Sequence, residues 1–489
     1  MPIRAQNSYE AKNPIKYTIP IKALKGNTIA IDGFWYIRKY FSPISREKLL
    51  LNLENYVKEN LSFIFKLKEI SNILWIWDGM KYKQEKPGFE ELKDVETFAS
   101  DLNSSDFYSV VNKQFFVDHL VEPVNSVLAS KKIDFCRAPY GAIAQCVYYY
   151  KNRFVDCIFT KSDALVFTDC EQVITDFNLK EEKYFYVTKK DLSKNLDVPL
   201  SHVKHFSIAS GCDFCPTIPP LALAYSNEDL KKFFTIEKGE ENQTNLRFKF
   251  QRYLEENEGY KKFYTQALTN IKWHPVMSTK GEIIPLESTE FPKNLDVIFG
   301  KKFPSIFYEN LFLCKIKPHV LNRINRNNYF KDNFVGKILS KICEFAGRDE
   351  EINRQLRDSK NKTEYFKNLL NLNYDSYKGI NSWLELACIH MVSSKTIDSE
   401  ELNVLSLVSD VELENTFFSE QKIKLLYVLQ GYLDSIQVFL NVSKEFGNSK
   451  RPEDFKIPEL SLKNAVGKVK MKNHLELIKG SIREIKKKC

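Results

Sequence analysis

The sequence lacks the features that would place it outside the globular proteins. Of its 489 residues only 17 are glycine and 18 are proline, which excludes collagen-like repeats and low-complexity linkers as the main architecture. No apolar run approaches the roughly 20 residues needed to cross a bilayer. The first 17 residues are polar, so we expect neither a secretory signal nor membrane association.

Cysteine is also sparse and unevenly placed. None precedes Cys136, and the ten cysteines between that residue and Cys489 follow no framework spacing. We therefore expect reduced thiols rather than a disulfide scaffold. This favours a cytoplasmic protein, with a nuclear one as the less favoured alternative.

The sequence is rich in the hydrophobic and aromatic residues that form folded cores. Hydrophobic residues make up 43% of the chain, aromatic residues 13% and charged residues 28%. These proportions are typical of globular domains and exclude wholesale disorder. At roughly 150 residues per domain, the length accommodates two or three domains.

Positive charge is concentrated at the end of the sequence. The net charge is +9, and residues 463–489 hold nine Lys and Arg against two Glu, a local net charge of +7. This basic segment is a candidate nucleic-acid site. Its candidate binding residues are Lys468, Lys470, Lys472, Lys486, Lys487 and Lys488. A solvated amphipathic helix with a lysine-rich end explains the same pattern equally well.

Residues 1–225 predict an α/β domain with a central, mostly parallel sheet. Short apolar runs, separated by segments of helical periodicity, indicate buried strands at 28–31, 73–77, 155–159 and 205–208. An aspartate follows each run: Asp32, Asp78, Asp163 and Asp213. Because ligands of such sheets bind beyond the carboxyl ends of the strands, these four aspartates are candidates for one site.

Beyond residue 225 the sequence predicts three further parts. A charged stretch at 237–245 indicates a linker, which we assign to 226–262. Residues 263–325 predict a small mixed α/β module, whose candidate strands are 274–277, 281–285 and 303–308. Residues 326–489 show helical periodicity and predict an all-helical C-terminal region that ends in the basic segment.

Five motifs, in the same order along the chain, resemble those of the flap endonuclease/XPG superfamily. They are Asp32, Asp78, Ala138-Pro-Tyr140, Ser162-Asp163 and Ser210-Gly-Cys-Asp213. The resemblance covers roughly residues 20–220 and implies a PIN-like domain whose acidic residues hold two divalent metal ions over a scissile phosphate. It also implies that the four aspartates are what remains of the ligand set.

Three ligand positions of that family are lost in this sequence. The family writes A-P-Y-E-A-[DE]-A-Q where residues 138–145 place Gly141 and Ile143 in the acidic positions. Lys161 stands where the family has a metal-bridging aspartate. Mg²⁺ prefers several oxygen ligands, and two neighbouring ions need many negative charges around them. The resemblance thus implies a pseudonuclease with no metal cofactor and no catalytic residue.

Two alternatives for the charges at this site have opposite consequences for metal binding. The Lys161 ammonium can neutralise Asp163 or Asp213 and relieve repulsion among the carboxylates. Alternatively Asp156, or Asp169, replaces a lost ligand. Mg²⁺ or Mn²⁺ is expected only in that second case.

The segment after Asp213 departs from the family as well. Active relatives place a glycine-bearing helix–hairpin–helix there, which holds duplex phosphates through its N–H groups. Residues 214–224 contain three prolines and no glycine, so they lack N–H donors at those positions. Duplex binding of the family's type is therefore not expected.

Residues 210–217, 274–286 and 292–308 together resemble the Mkt family of post-transcriptional regulators. That resemblance implies an inactive XPG-like scaffold acting on mRNA stability or translation. It further implies an ataxin-2-like partner associated with poly(A)-binding protein, and a location in the cytoplasm, on polysomes or in ribonucleoprotein granules. Two alternatives stay open. One is a metal-dependent, structure-specific nuclease in DNA repair or RNA turnover; the other is an RNA-binding module that uses the basic segment.

Three other patterns have both a functional and a structural interpretation. Cys212 and Cys215 have the spacing of half a zinc site, but no second pair lies nearby, which favours structural thiols. Residues 148–150 are three tyrosines, for which helix packing is favoured over base stacking. His202 and His205 are predicted in a loop or at a strand edge rather than on a metal.

Overall fold

The computed structural model describes residues 3–5, 17–43, 53–82, 114–178, 180–234, 249–288, 290–292, 295–300, 302–303, 305–325 and 434. By proximity these residues divide into two units. One takes those within 1–39, 61–82 and 128–299, and the other those within 40–60, 83–127 and 300–489. The predicted helical region and the six lysines of the basic segment lie outside the described residues, apart from Asp434.

The first unit is built on a seven-stranded, mainly parallel sheet, which confirms the predicted fold class. Its strands are β1 Tyr17–Pro20, β2 Thr28–Asp32, β3 Asn72–Trp77, β4 Asp134–Arg137, β5 Cys157–Phe159, β6 Gln172–Asn178 and β7 Lys183–Thr188. The order across the sheet is β1-β7-β6-β5-β2-β3-β4. Only the β1–β7 and β6–β7 pairs among these are antiparallel.

The centre of the sheet explains the apolar runs. Strand β2 pairs in parallel with β3 on one side and with β5 on the other. Residues 29–32 of β2 are all buried, as expected of a central parallel strand. The strand order reverses between β2 and β5, and such a reversal opens a crevice at the carboxyl ends of the strands.

The helices in chain order are α1 Gly33–Tyr40, α2 Leu53–Asn60, α3 Ser62–Lys68, α4 Gln114–Ser130, α5 Ala142–Lys151, α6 Lys189–Leu196, α7 Val203–Ser210, α8 Asn227–Phe233, α9 Lys249–Glu256, α10 Glu258–Lys272, α11 Asp296–Phe299, α12 Ser305–Phe312 and α13 Pro318–Asn325. Local sequence sets some of their starts: the Thr188 hydroxyl accepts the N–H of Asp191 at 3.0 Å and caps α6. Across the described residues, no helix is both long enough and apolar enough to span a bilayer.

Two predicted strands are helices in the structure. Residues 205–208 lie in α7, and residues 305–308 begin α12. Asp213 therefore follows a helix rather than a strand. A four-residue apolar run fits a buried helix as well as a buried strand, and Phe206 and Ile208 are indeed fully buried in α7.

The parts beyond residue 225 are bounded differently from the prediction. Helices α8 and α9 and the start of α10 fall inside the predicted linker 226–262, and Leu230 and Phe250 are buried there. The charged stretch 237–245 lies outside the described residues. Strands β8 Pro275–Met277 and β9 Ile283–Pro285 pair as a hairpin, which confirms both predicted strands. That hairpin groups with the first unit, whereas residues from 300 onward group with the second.

Within the second unit, one buried carboxylate has two basic partners. Asp434 Oδ2 lies 3.2 Å from Lys317 Nζ and 3.3 Å from His319 Nε2. Lys317 and His319 lie at the start of α13, before and within its first turn. These contacts attach Asp434 to α13.

Candidate functional site

Asp32 ends β2 at the crevice between β2 and β5. Its buried side chain accepts the N–H of Trp35 through Oδ1 at 3.1 Å and the hydroxyl of Thr160 through Oδ2 at 2.9 Å. Burial and the charge of Asp78 raise the pKa of Asp32 to about 6, while the charge of Lys161 opposes the rise. Both oxygens of this carboxylate therefore have protein donors.

Asp78 directly follows β3, at the same edge of the sheet. Its Oδ1 accepts the N–H of Ala142, the first residue of α5, at 2.6 Å. A carboxylate in this place satisfies a free N–H and compensates the positive end of the helix. The contact commits one oxygen of Asp78 to helix capping.

Asp163 and Asp213 meet around Lys161. The fully buried Asp163 accepts the N–H of Asp213 through Oδ1 at 2.8 Å. Its Oδ2 is buried with no hydrogen-bond partner among the described residues. The Lys161 ammonium, 14% exposed, forms an ion pair with Asp213. Burial raises the pKa of Asp163 to about 6, against the opposing charge of Lys161.

The lost acid position at Gly141 is filled from another part of the chain. The N–H of Gly141 donates to Nε2 of His274 at 3.1 Å, and Nδ1 of His274 lies 2.9 Å from Oδ1 of Asn270. Because the amide oxygen only accepts, Nδ1 carries the proton and Nε2 is the acceptor. Burial lowers the pKa of His274 to about 3, so the ring is neutral.

The second lost acid position, at residue 143, holds a buried apolar side chain. Ile143 is buried in the first turn of α5. Two residues on, the fully buried Gln145 pairs with the backbone of Met277 in both directions. Its Oε1 accepts the Met277 N–H at 2.8 Å, and its Nε2 donates to the Met277 carbonyl at 2.9 Å. The helix that carries both lost positions thus packs against β8.

These contacts do not fit a pair of divalent metal ions. Two ions need several oxygens directed into one shared volume. At this edge an ammonium and a neutral imidazole occupy two of the lost ligand positions, and each of the four aspartates already accepts from a protein donor. Among the residues that the structure describes, no three His, Cys, Asp or Glu side chains are grouped to hold a metal ion.

Neither candidate replacement carboxylate lies among the four aspartates. Asp156 Oδ2 accepts the N–H of Thr28 at 2.8 Å, at the amino end of β2 and so at the opposite edge of the sheet from Asp32. Asp169 pairs with Lys151 at 2.9 Å, at the far end of α5. The structure therefore places both away from the lost ligand positions.

The segment after Asp213 turns back on its own domain. Cys212 and Cys215 exchange backbone hydrogen bonds of 3.0 and 3.3 Å, and Ile218 donates to the carbonyl of Ala209 at 2.9 Å. Burial raises the pKa of the Cys212 thiol to about 12 and that of Cys215 to about 11. Because the thiolate is the metal-ligating form, thiols with raised pKa values favour a structural role for both cysteines.

The remaining predicted candidates take part in packing. Tyr148 and Tyr149 are buried on α5. His205 lies in α7 rather than in a loop, and its Nδ1 is hydrogen-bonded to the hydroxyl of Tyr264. Burial lowers the pKa of His205. His205 thus joins α7 to α10.

Sequence reasoning missed the residues that complete the site, namely Thr160, Asn270 and His274. Asn270 lies in the last turn of α10 and His274 two residues beyond the end of that helix, and the 2.9 Å contact between their side chains joins the helix to the start of β8. The available signal was Gly141 itself. A glycine where the family has an acid leaves a volume that a close-packed interior must fill from elsewhere.

Comparisons with known proteins agree with the motifs. Residues 132–213 match the family model of the XPG I-region. Exonuclease 1 of Oryza sativa subsp. japonica is 24% identical over 240 residues, covering 45% of this chain and 28% of the relative. Post-transcriptional regulator mkt1 of Schizosaccharomyces pombe is 21% identical over 392 residues, covering 65% of this chain and 47% of the relative.

The chain therefore spans less than half the length of either relative. Among solved structures, flap endonuclease-1 from Methanococcus jannaschii superposes with a TM-score of 0.32 at 17% identity, covering 52% of this chain and 95% of that one. Gly141, Lys161, Asp163 and Asp213 all lie within the matched I-region. Residues 132–213 are thus similar to the XPG I-region, and they lie in an α/β unit with a mainly parallel sheet.

Proposed function

We propose that this protein is a catalytically inactive XPG-like scaffold in post-transcriptional regulation of mRNA. One observation carries the inactivity: the Lys161 ammonium pairs with Asp213 at the position of a bridging carboxylate. A fixed cation there competes with a divalent ion for the same negative charge. We accordingly propose that the protein needs no metal cofactor.

The regulatory role is supported by the alignment with S. pombe mkt1, which extends over 65% of this chain. By that likeness the protein acts in the cytoplasm on mRNA stability or translation. It does so through an ataxin-2-like partner that associates with poly(A)-binding protein, and we place the partner's binding surface beyond about residue 230.

The nuclease alternative has its own supporting observation. Exonuclease 1 relatives align over nearly half of this chain, and Asp32, Asp78 and Asp163 remain near one edge of the sheet. On this alternative the protein is an XPG-type nuclease with an altered Mg²⁺ or Mn²⁺ site.

Cleavage assays separate the two. The 489-residue chain is incubated with flap DNA, single-stranded DNA and RNA, with Mg²⁺, with Mn²⁺ and with EDTA. The scaffold proposal predicts no metal-dependent product beyond that of Asp78→Asn, which keeps an oxygen for the Ala142 N–H but removes the charge. Cleavage by the unmodified chain that Asp78→Asn abolishes supports the nuclease instead.

A tethering assay tests the regulatory role itself. The chain is fused to an RNA-binding tag and directed to a reporter mRNA, and reporter abundance and translation are measured. We expect a change that depends on the ataxin-2-like protein and is the same for Asp78→Asn. An unchanged reporter, together with no retention of the partner in a pulldown, contradicts the proposal.

The basic segment is tested separately. If residues 463–489 bind RNA, removing them lowers the affinity, and the affinity of the intact chain falls steeply with salt as counterions are released. Binding that is insensitive to both changes excludes this segment as the RNA site.

A further inference from the structure

A continuous stretch of chain covers the helix that carries two of the lost acid positions. We call residues 270–286 the covering segment. It contacts α5 from one end to the other: His274 accepts the N–H of Gly141, Gln145 pairs with Met277, and Lys151 donates to the carbonyl of Leu286 at 3.2 Å.

The His274 ring is fixed within this segment. It is fully buried and hydrogen-bonded at both nitrogens, to Gly141 and to Asn270. Four aromatic rings meet it edge-on, with centroids 5.5–6.4 Å away: Tyr82, Tyr140, Phe167 and Phe299. Rotation of the imidazole would break both hydrogen bonds and meet these rings.

An acid at position 141 would crowd this arrangement. A Cβ on Gly141 would lie 3.2 Å from Cε1 of His274 and 3.2 Å from the hydroxyl of Tyr82. The further atoms of a glutamate extend from that crowded point. A carboxylate placed beside the buried His274 ring would also lose part of its water without gaining a cation.

We propose that the covering segment is a built-in plug, with His274 at its centre, which closes the former metal cleft independently of the lost acids. The plug proposal rests on the proposed function for the statement that the cleft holds no metal. It adds that metal binding cannot be restored by replacing the lost acids alone. Restored acids regain tight metal binding only when His274 is removed as well.

The direct test restores the acids with and without the plug. The three-acid variant carries Gly141→Glu, Ile143→Asp and Lys161→Asp, and a second variant adds His274→Ala. A matched control adds His205→Ala instead, which removes a hydrogen-bonded histidine outside the cleft. Mn²⁺ binding is followed by electron paramagnetic resonance, and folding by circular dichroism.

We expect the variant with His274→Ala to bind Mn²⁺ at least ten times more tightly than the three-acid variant, and the control to resemble the three-acid variant. Equal binding with and without His274 overturns the plug. So does a folded His274→Ala variant that gains no affinity. Either of these results leaves the proposed function standing, whereas metal-dependent cleavage by the unmodified chain refutes the proposed function.

A second test needs no metal and uses a smaller change. The backbone at Gly141 has φ −79°, which alanine adopts without strain, so Gly141→Ala is disfavoured only by its neighbours. We expect this substitution to lower the Tm of the unmodified chain and to leave it unchanged or raised in the His274→Ala background. The same shift in both backgrounds contradicts the plug.

Discussion

Removing the cation at Lys161 should destabilise the protein in a pH-dependent way. Lys161→Met keeps the aliphatic stem and removes the ammonium that pairs with Asp213. Breaking a buried ion pair costs roughly 3–5 kcal/mol, and an exposed pair contributes about 0–1 kcal/mol. Lys161 is 14% exposed and Asp213 34%, between these cases, so we expect a loss of about 2 kcal/mol at pH 8. That corresponds to a fall in Tm of about 4–8 °C for a unit of roughly 150–250 residues.

The same loss should shrink in acid. Asp32 and Asp163, both near Lys161, have pKa values raised to about 6, so at pH 5 most of their charge is neutralised and less cation is needed. Thermal unfolding is measured at pH 5 and pH 8 in EDTA. Lys183→Met, which breaks the exposed pair with Glu181, is the control and should change little at either pH. A Lys161→Met variant as stable as the unmodified chain at pH 8 refutes the compensating role of this lysine.

Three further substitutions have distinct expected effects. The pKa of Asp32 is about 6 in the folded protein against an ordinary 3.8, so the protein loses stability as the pH rises from about 4 to 6. Asp32→Asn removes this charge and should raise Tm at pH 8 by the equivalent of about 1–3 kcal/mol, with no rise at pH 4. An equal change in Tm at both pH values would contradict the raised pKa. Gly79→Ala should prevent soluble folding, because its Cβ would lie 2.0 Å from the carbonyl oxygen of Ala138, and an unchanged Tm would be inconsistent with that contact. Tyr140→Phe removes the 2.9 Å hydrogen bond to the carbonyl of Phe299 and should lower stability by about 1–2 kcal/mol in thermal unfolding; no loss would mean that water replaces the phenol.

The sheet and the first part of the site follow from local sequence. A central parallel strand is apolar along its whole length. The apolar run before Asp32 therefore predicts a buried strand, and Asp32 marks the carboxyl end of that strand. The same argument places Asp78 after β3. Both positions could be predicted from the sequence because each aspartate directly follows its own strand.

The rest depends on contacts between distant parts of the chain. His274 is 133 residues from Gly141, and no local pattern reports such a contact. Residues 205–208 were wrongly predicted as a strand because burial alone does not distinguish a short strand from a short helix. Asp213 still reaches Asp163, but from the end of a helix.

Mn²⁺ binding by the unmodified 489-residue chain decides whether the cleft still holds a pair of metal ions. Electron paramagnetic resonance is recorded while Mn²⁺ is titrated into the chain and into Asp78→Asn. We expect identical titrations, with no pair of interacting ions in either protein. A spin-coupled pair of Mn²⁺ ions in the unmodified chain, absent from Asp78→Asn, would contradict this expectation.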